Sequence, residues 1–443
     1  MHYAHRRHTA KLAVLLMGIY WPALIGQTAT KTSDAAPAEA AKTFLPAWLK
    51  LGADLRGRWD MPSGIGYANV SDTYYLSRLR GNITIRPVPW LRFFAQVQDS
   101  RVGGYSVSPA PSSMYNSLDL RQSYIEVATE GATAIDVRIG RQEMAFGSGR
   151  LIGASDWGNC SRSFDAARFT YARRGIKADF FEASPVLIDS SRFDRHKAGD
   201  HLFGSYFVFH RLISKSSVEP YYLLRRQLQI AGEHGETGNG TVSTAGIRSS
   251  GRLPLQMDYA TEWAGQFGIY ARDRISAMAG TYMLGWTVNE SGAKPRLSIE
   301  FNHASGDHAN KDGRRQTFDQ LFASSHSVYG LADQVGWRNM RQLRGGFDFL
   351  VTRKVKVRAD WNDFYLATVQ DGLYNSSGTP TVLNRRATST HVGREADFQA
   401  LYQLSSNTGF GAGIARLFPG AYLKQSTAGT AYMYPYIFWT KKL

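Results

Sequence analysis

The chain has 443 residues, 43% of them hydrophobic, 20% charged and 13% aromatic, with 43 glycines and only 15 prolines, a balance that suits a large antiparallel β structure better than a helical one. A formal net charge of +16 calls for an acidic partner: nucleic acid, an anionic membrane surface or an acidic solute. The single cysteine, Cys160, excludes an intrachain disulfide and a cysteine-based metal site.

At the N-terminus, Arg6, Arg7 and Lys11 precede an apolar run over 12–25, followed by Gly26, Gln27, Thr28 and Ala29. A basic start, a short apolar core and small residues describe a secretory signal peptide, here 1–28, and the run is too short for a membrane-spanning helix. Residues 29–47, rich in Ala, Thr and Lys, read as a flexible leader.

From residue 48 to 443 the pattern is period two. Leu49, Leu51, Ala53, Leu55 and Trp59 alternate with Lys50, Asp54, Arg56, Arg58 and Asp60. Further on, Leu297, Ile299 and Phe301 alternate with Arg296, Ser298, Glu300 and Asn302. Val355, Val357, Ala359 and Trp361 alternate with Lys356, Arg358, Asp360 and Asn362. Opposite faces of each strand therefore meet opposite environments. About 18 such stretches can be placed, and no later segment offers the apolar length of a membrane helix. Connections after even-numbered stretches are short, at 87–89, 130–132, 173–175, near Pro254, near Arg353 and at 405–407. Most of those after odd-numbered stretches are long: 102–117, 142–162, 184–199, 305–339 and 368–390.

Short turns on one side and long loops on the other predict an all-β fold: one transmembrane antiparallel β-barrel of about 18 strands in the bacterial outer membrane. Its aromatic girdles would be built from Trp48, Trp59, Tyr74, Tyr75, Trp90, Trp263, Trp286, Trp361, Tyr434, Tyr436 and Trp439. Neither an internal repeat nor a second domain is visible, and a monomer is expected.

Several segments resemble the alginate-export family of outer-membrane barrels. They are IGRQEMAFGSGRLIGASDWGNCSRSFDAARFTY (139–171), DYATEWAGQFG (258–268), SGD with TFDQLFASSH within 305–326, and YGLADQVGWRNM (329–340). The resemblance implies an 18-stranded barrel whose arginine-rich constriction passes a polyuronate outward by diffusion, with periplasmic export components as possible partners. It also implies that Arg141, after Gly140, supplies a lumen arginine, with Asp156 and Asp165 as acidic residues opposite it.

Alternation alone places Lys50, Arg56, Arg58, Arg78, Arg80, Arg86, Arg92, Arg138, Arg296, Lys356 and Arg358 on polar faces, against Asp54, Asp60, Asp136, Glu300 and Asp360. Arginine binds carboxylates bidentately, and rings of it make a pore anion-selective. The blander reading is that these charges form arginine–carboxylate ladders that hold the barrel open. No G-x-S-x-G, H-E-x-x-H or identifiable Ser–His–Asp set supports an outer-membrane hydrolase. The basic residues alternate along strands and form no patch, against nucleic-acid binding. Asp307, Asn310 and Asp312 are oxygen ligands, but their spacing is not that of a calcium loop. The reading is therefore a channel without cofactor or metal, embedded in outer-membrane lipid. A porin for small anionic nutrients is the rival, with 305–339 and 368–390 able to fold inward and narrow the lumen, and some basic loop residues able to hold lipid phosphates.

Overall fold

The computed structural model describes residues 45–443 except 107–109, 130, 132, 211, 290 and 310. The predicted signal peptide, the leader up to residue 44, and Asn310 lie outside the described residues.

Eighteen long strands form one closed antiparallel barrel. They are β1 Leu49–Asp60, β2 Tyr74–Val88, β3 Leu91–Gly103, β4 Asn116–Ala128, β5 Thr133–Gln142 and β6 Phe164–Arg173. Then follow β7 Ile176–Leu187, β8 Asp200–Phe209, β9 Ser216–Ala231, β10 Thr237–Arg252, β11 Met257–Tyr270 and β12 Asp273–Thr287. The last are β13 Arg296–Ala304, β14 Met340–Leu350, β15 Val355–Leu366, β16 His391–Ser405, β17 Thr408–Pro419 and β18 Tyr432–Lys442. Each pairs with its sequence neighbours, and β18 returns to β1 with Arg56 opposite Thr440 and Asp60 opposite Tyr436. Closure leaves no strand edge, so every backbone amide of the wall is satisfied within lipid.

Alternation decides which side chain meets lipid. On β1 and β2, Leu51, Trp59, Leu79 and Ile83 are exposed, whereas Arg56, Arg58, Asp60, Arg78 and Arg80 are buried inside. The same parity puts Trp361 outside and Arg358 and Asp360 inside on β15. Trp48, Trp59, Trp90, Trp263, Trp286, Trp361 and Trp439 are exposed on the outer wall, as girdle residues must be. Three expected girdle residues are not there. Tyr74, Tyr434 and Tyr436 occupy inward parities and are buried in the lumen, because they share a face with Arg78 or with Phe438.

The connections at 89–90, 174–175, 253–256 and 406–407 are tight, and those at 143–163, 305–339 and 367–390 are long and on the opposite rim. Two connections on the long-loop rim are short, 232–236 and 271–272. The apolar core lies inside the barrel. Trp157, Leu151 and Ile152 from 143–163 pack with Phe318, Phe322, Tyr329 and Trp337 from 305–339, and inward residues such as Phe364 and Tyr436 close around them. Burying these apolar faces offsets the entropy of ordering two long connections inside a lumen.

Candidate functional site: the lumen and its inserted loops

Inward residues of β1 and β2 make one basic wall. Loop 143–163 is fixed to it through its backbone carbonyls and the Asp156 carboxylate. Arg56 donates to the carbonyls of Asp156 (2.8 Å), Trp157 (3.2 Å) and Gly158 (3.0 Å) and to Asn159 Oδ1 (3.3 Å). Arg58 grips Asp60 with two bonds (2.8 and 2.9 Å), and its third nitrogen donates to the Trp157 carbonyl at 2.6 Å. Arg78 holds the Asp156 carboxylate bidentately (3.0 and 3.3 Å), while Arg80 donates to the same carboxylate (2.8 Å), to Ser161 Oγ (2.7 Å) and to Gln98 (2.7 Å). Burial alone would raise the Asp156 carboxyl. Arg78, Arg80, Arg56 and Arg121 outweigh that and hold it well below the usual carboxylate range.

Arg121 adds a fifth guanidinium. It pairs with Glu143 at the root of the loop, and its Nε and Nη1 are buried without a hydrogen-bond partner among the described residues. Alternation carried back from Glu126 misses it, because a bulge at this point breaks the β3–β4 register between Gln96 and Val97.

Loop 305–339 closes from the opposite side. Phe322 N donates to Leu151 O (2.8 Å), Gly153 N to Phe322 O (3.0 Å) and Ser324 N to Gly149 O (2.8 Å), so the two loops form a short parallel pairing inside the lumen. Arg162 donates to the carbonyls of Gly153, Phe322 and Ala323. Arg150 pairs with Glu300 (2.5 Å) and lies over the Tyr329 ring (5.2 Å).

Inward acceptors on β16, β11 and β13 hold loop 305–339. Ala332 N donates to Glu395 (2.9 Å) and Leu331 N to Asp397 (3.3 Å), both carboxylates buried on β16. Gly330 is required here: its φ is +90°, and a Cβ would sit 2.2 Å from Glu395 Oε1. Asp319 N and O exchange bonds with Gln266 (2.7 Å each), and Trp337 Nε1 donates to His303 O (3.0 Å). Segment 367–390 packs on this loop through Asn339, which bonds the carbonyls of Thr368 and Gly372.

The other sequence-predicted residues do not join this cluster. Arg138 binds Glu126 (2.5 Å), Arg296 binds Asp258 (2.7 Å), Lys356 binds Asp348 (3.3 Å) and Arg358 binds Asp360 (2.6 Å), all on inward parities. These are arginine– or lysine–carboxylate ladders along the wall. Arg141 and Asp165 require a correction. They are register partners bonded at 2.8 Å, but Arg141 shares the outward parity of Ile139, which is 60% exposed, and Asp165 shares that of Phe169. The Gly140-Arg141 pair thus does not supply a lumen arginine. Gly140 itself is forced by geometry: its φ is +126°, and a Cβ there would meet Ser123 O at 2.3 Å. Asp156 is separate from this pair and binds Arg78 and Arg80.

Solved structures similar to this barrel include three from Pseudomonas aeruginosa. OpdO has a TM-score of 0.59 at 12% identity, covering 89% of this chain and 97% of its own. OccK8 (OprE) has a TM-score of 0.59 at 10% identity, covering 89% and 98%. OpdK has a TM-score of 0.59 at 9% identity, covering 89% and 99%. At these identities the likeness is one of fold. A search of curated proteins finds no match. The sequence matches the alginate-export family over residues 47–434, most of the barrel and both inserted loops. With its closed 18-strand wall, this chain is an outer-membrane channel protein of the alginate-export family.

Proposed function

We propose that the barrel is a passive channel for an anionic, polyuronate-like polysaccharide, with the basic wall of β1, β2 and β4 as its carboxylate track. The observation that carries this reading is the seat of Asp156. A loop carboxylate is held there by Arg78 and Arg80, beside Arg56 and Arg121. A uronate carboxylate has the same charge and the same bidentate geometry, so a passing polymer can take the Asp156 position when loop 143–163 withdraws. Contacts shared among several guanidiniums allow release as well as capture. Family membership supports the polymer as cargo.

A second reading has its own observation: both long loops meet inside the lumen, which suits a porin for small anionic nutrients. A solved structure of the same fold, OpdK, is recorded with vanillate, a small carboxylate. Current block by mannuronate oligomers of rising length, with the full-length protein in planar bilayers, separates the two. Block that strengthens with length supports the polymer track, block by monomer alone supports the small-solute porin, and block by neither overturns the anionic reading.

A further inference from the structure

A charged side chain on the lipid face of a barrel is unfavourable unless it reaches the headgroup layer. Several outward charges elsewhere on this wall are matched: Arg101 with Asp99 on β3, Arg141 with Asp165 on β5 and β6, and His201 with Glu182 on β7 and β8. Arg226 on β9 and Arg274 on β12 are exposed singly without an ion pair among the described residues, whereas the outer face of β14 to β17 gathers several arginines. Exposed Arg341, Arg394 and Arg416 all take outward parities there, shared with Leu343, Phe398 and Ile414. Among the described residues Asp363 is the one carboxylate on that face, and it is engaged by His391 Nε2 (2.9 Å) and by Arg394 Nε (3.4 Å). Arg341 and Arg416 make no ion pair among the described residues, and Arg416 lies over the Phe418 ring at 4.9 Å.

The register makes this a connected patch. Arg341 lies opposite His303 on one side and Tyr365 on the other, and Tyr365 lies opposite His391. Arg394 lies opposite Asp363 and Phe418, and Arg416 opposite Ala396. All three arginines stand within a few residues of the long-loop ends of their strands, within about 10 Å at the rise of a β-strand. That is the headgroup level of the outer leaflet, with apolar wall directly below for acyl chains.

We infer that the outer face of β14 to β17 is a docking surface for a phosphate-bearing lipid headgroup of the outer leaflet. Phosphate matches planar guanidinium bidentately, three guanidiniums spread over four neighbouring strands against one already engaged carboxylate leave the patch positive, and Tyr365 and Phe418 seat the amphipathic boundary. The surface lies outside the lumen and is independent of what the channel carries.

The test is lipid retention by the full-length protein, read by native mass spectrometry and by the midpoint of thermal unfolding. The probes are a bisphosphorylated outer-leaflet glycolipid, its dephosphorylated form, and inorganic phosphate. The bisphosphorylated lipid should bind and raise the midpoint. Each single substitution, Arg341→Gln, Arg394→Gln or Arg416→Gln, should weaken it about fivefold, and the triple variant about a hundredfold. Arg101→Gln, which removes a charge from a matched pair, should leave binding unchanged, and the singles keep the test valid if the triple variant does not fold. Equal binding of the dephosphorylated lipid, undiminished binding by the three single variants, or displacement of the lipid by millimolar inorganic phosphate would overturn the assignment.

Discussion

Trp157 and His326, from two different lumen loops, stack with ring centroids 4.1 Å apart and planes 2° from parallel. The sandwich continues on both sides: Arg58 lies 4.0 Å over the Trp157 ring, and Asp333 accepts from His326 Nδ1 at 2.7 Å. One aromatic contact therefore couples the basic wall to both loops. Trp157→Ala removes a buried side chain from that junction, at a cost of about 3 kcal/mol to loop docking. The barrel should still assemble, since no wall hydrogen bond is lost. Single-channel recording should show a higher open probability than in the parent protein; unchanged gating would mean that the loops are held without this contact.

Asp156 links docking to pH. Its carboxyl is held below the ordinary value in the docked loop, so docking is favoured above the ordinary carboxylate pKa and is lost only as pH falls through the lowered one. Lowering pH from 7 to 5 should leave the closed state intact. Asp156→Asn leaves Arg78 and Arg80 without their carboxylate, and breaking a buried pair in this way costs about 3 kcal/mol or more. The expected result is a channel that opens readily at neutral pH, measured as conductance per inserted molecule.

Glu233 carries the opposite sign. In the short loop 232–236 its carboxyl is pushed up to about 7, first by burial and then by Asp307 and Asp273. Asp307, on the inserted loop 305–339, is itself raised, again first by burial. Glu233 also accepts the Lys311 amide at 3.0 Å, which ties the two loops at the rim. A raised acid stabilises the docked arrangement below its ordinary value and loses that contribution as pH climbs through the raised one. Hydrogen exchange over 305–312 should speed up between pH 6 and 8 beyond the intrinsic base-catalysed rise, and Glu233→Gln should remove the excess.

The strand count and the segregation of loop lengths are legible because a period of two, with one face in lipid, leaves a direct trace in sequence. Lys356, Arg358 and Asp360 fall on the correct face for that reason. Arg121 is hidden by a bulge that adds one residue to β4, and such an insertion reverses the parity of everything after it. For Arg141 the lumen role comes from resemblance, whereas the parity it shares with Ile139 points outward. Tyr434 and Tyr436 read as girdle residues by type, although their alternation with Ile437 and Trp439 already puts them inside. The docking of 143–163 and 305–339 leaves no periodic trace, since loop residues meet partners far away in the sequence, as Arg56 meets Asp156. The cue lies in composition: a long loop containing Phe318, Phe322, Tyr329 and Trp337 has more apolar surface than a solvated loop would keep.

The separation between lumen and outer wall yields the sharpest test of charge selectivity. Arg138, Arg296 and Arg358 face inward and pair with carboxylates of the wall, so altering them changes the field along the path without breaking the ion pairs that hold Asp156. Replacing all three with Gln leaves Glu126, Asp258 and Asp360 less compensated, and the wall becomes more negative. The reversal potential in a salt gradient should then move toward cation selectivity. Arg141→Gln removes the same charge from the outer wall, where lipid and not permeant ion is the neighbour. It should leave the reversal potential where it was, while the loss of the 2.8 Å bond to Asp165 lowers thermal stability slightly. A shift with Arg141→Gln and none with the triple variant would reverse the assignment of these two faces.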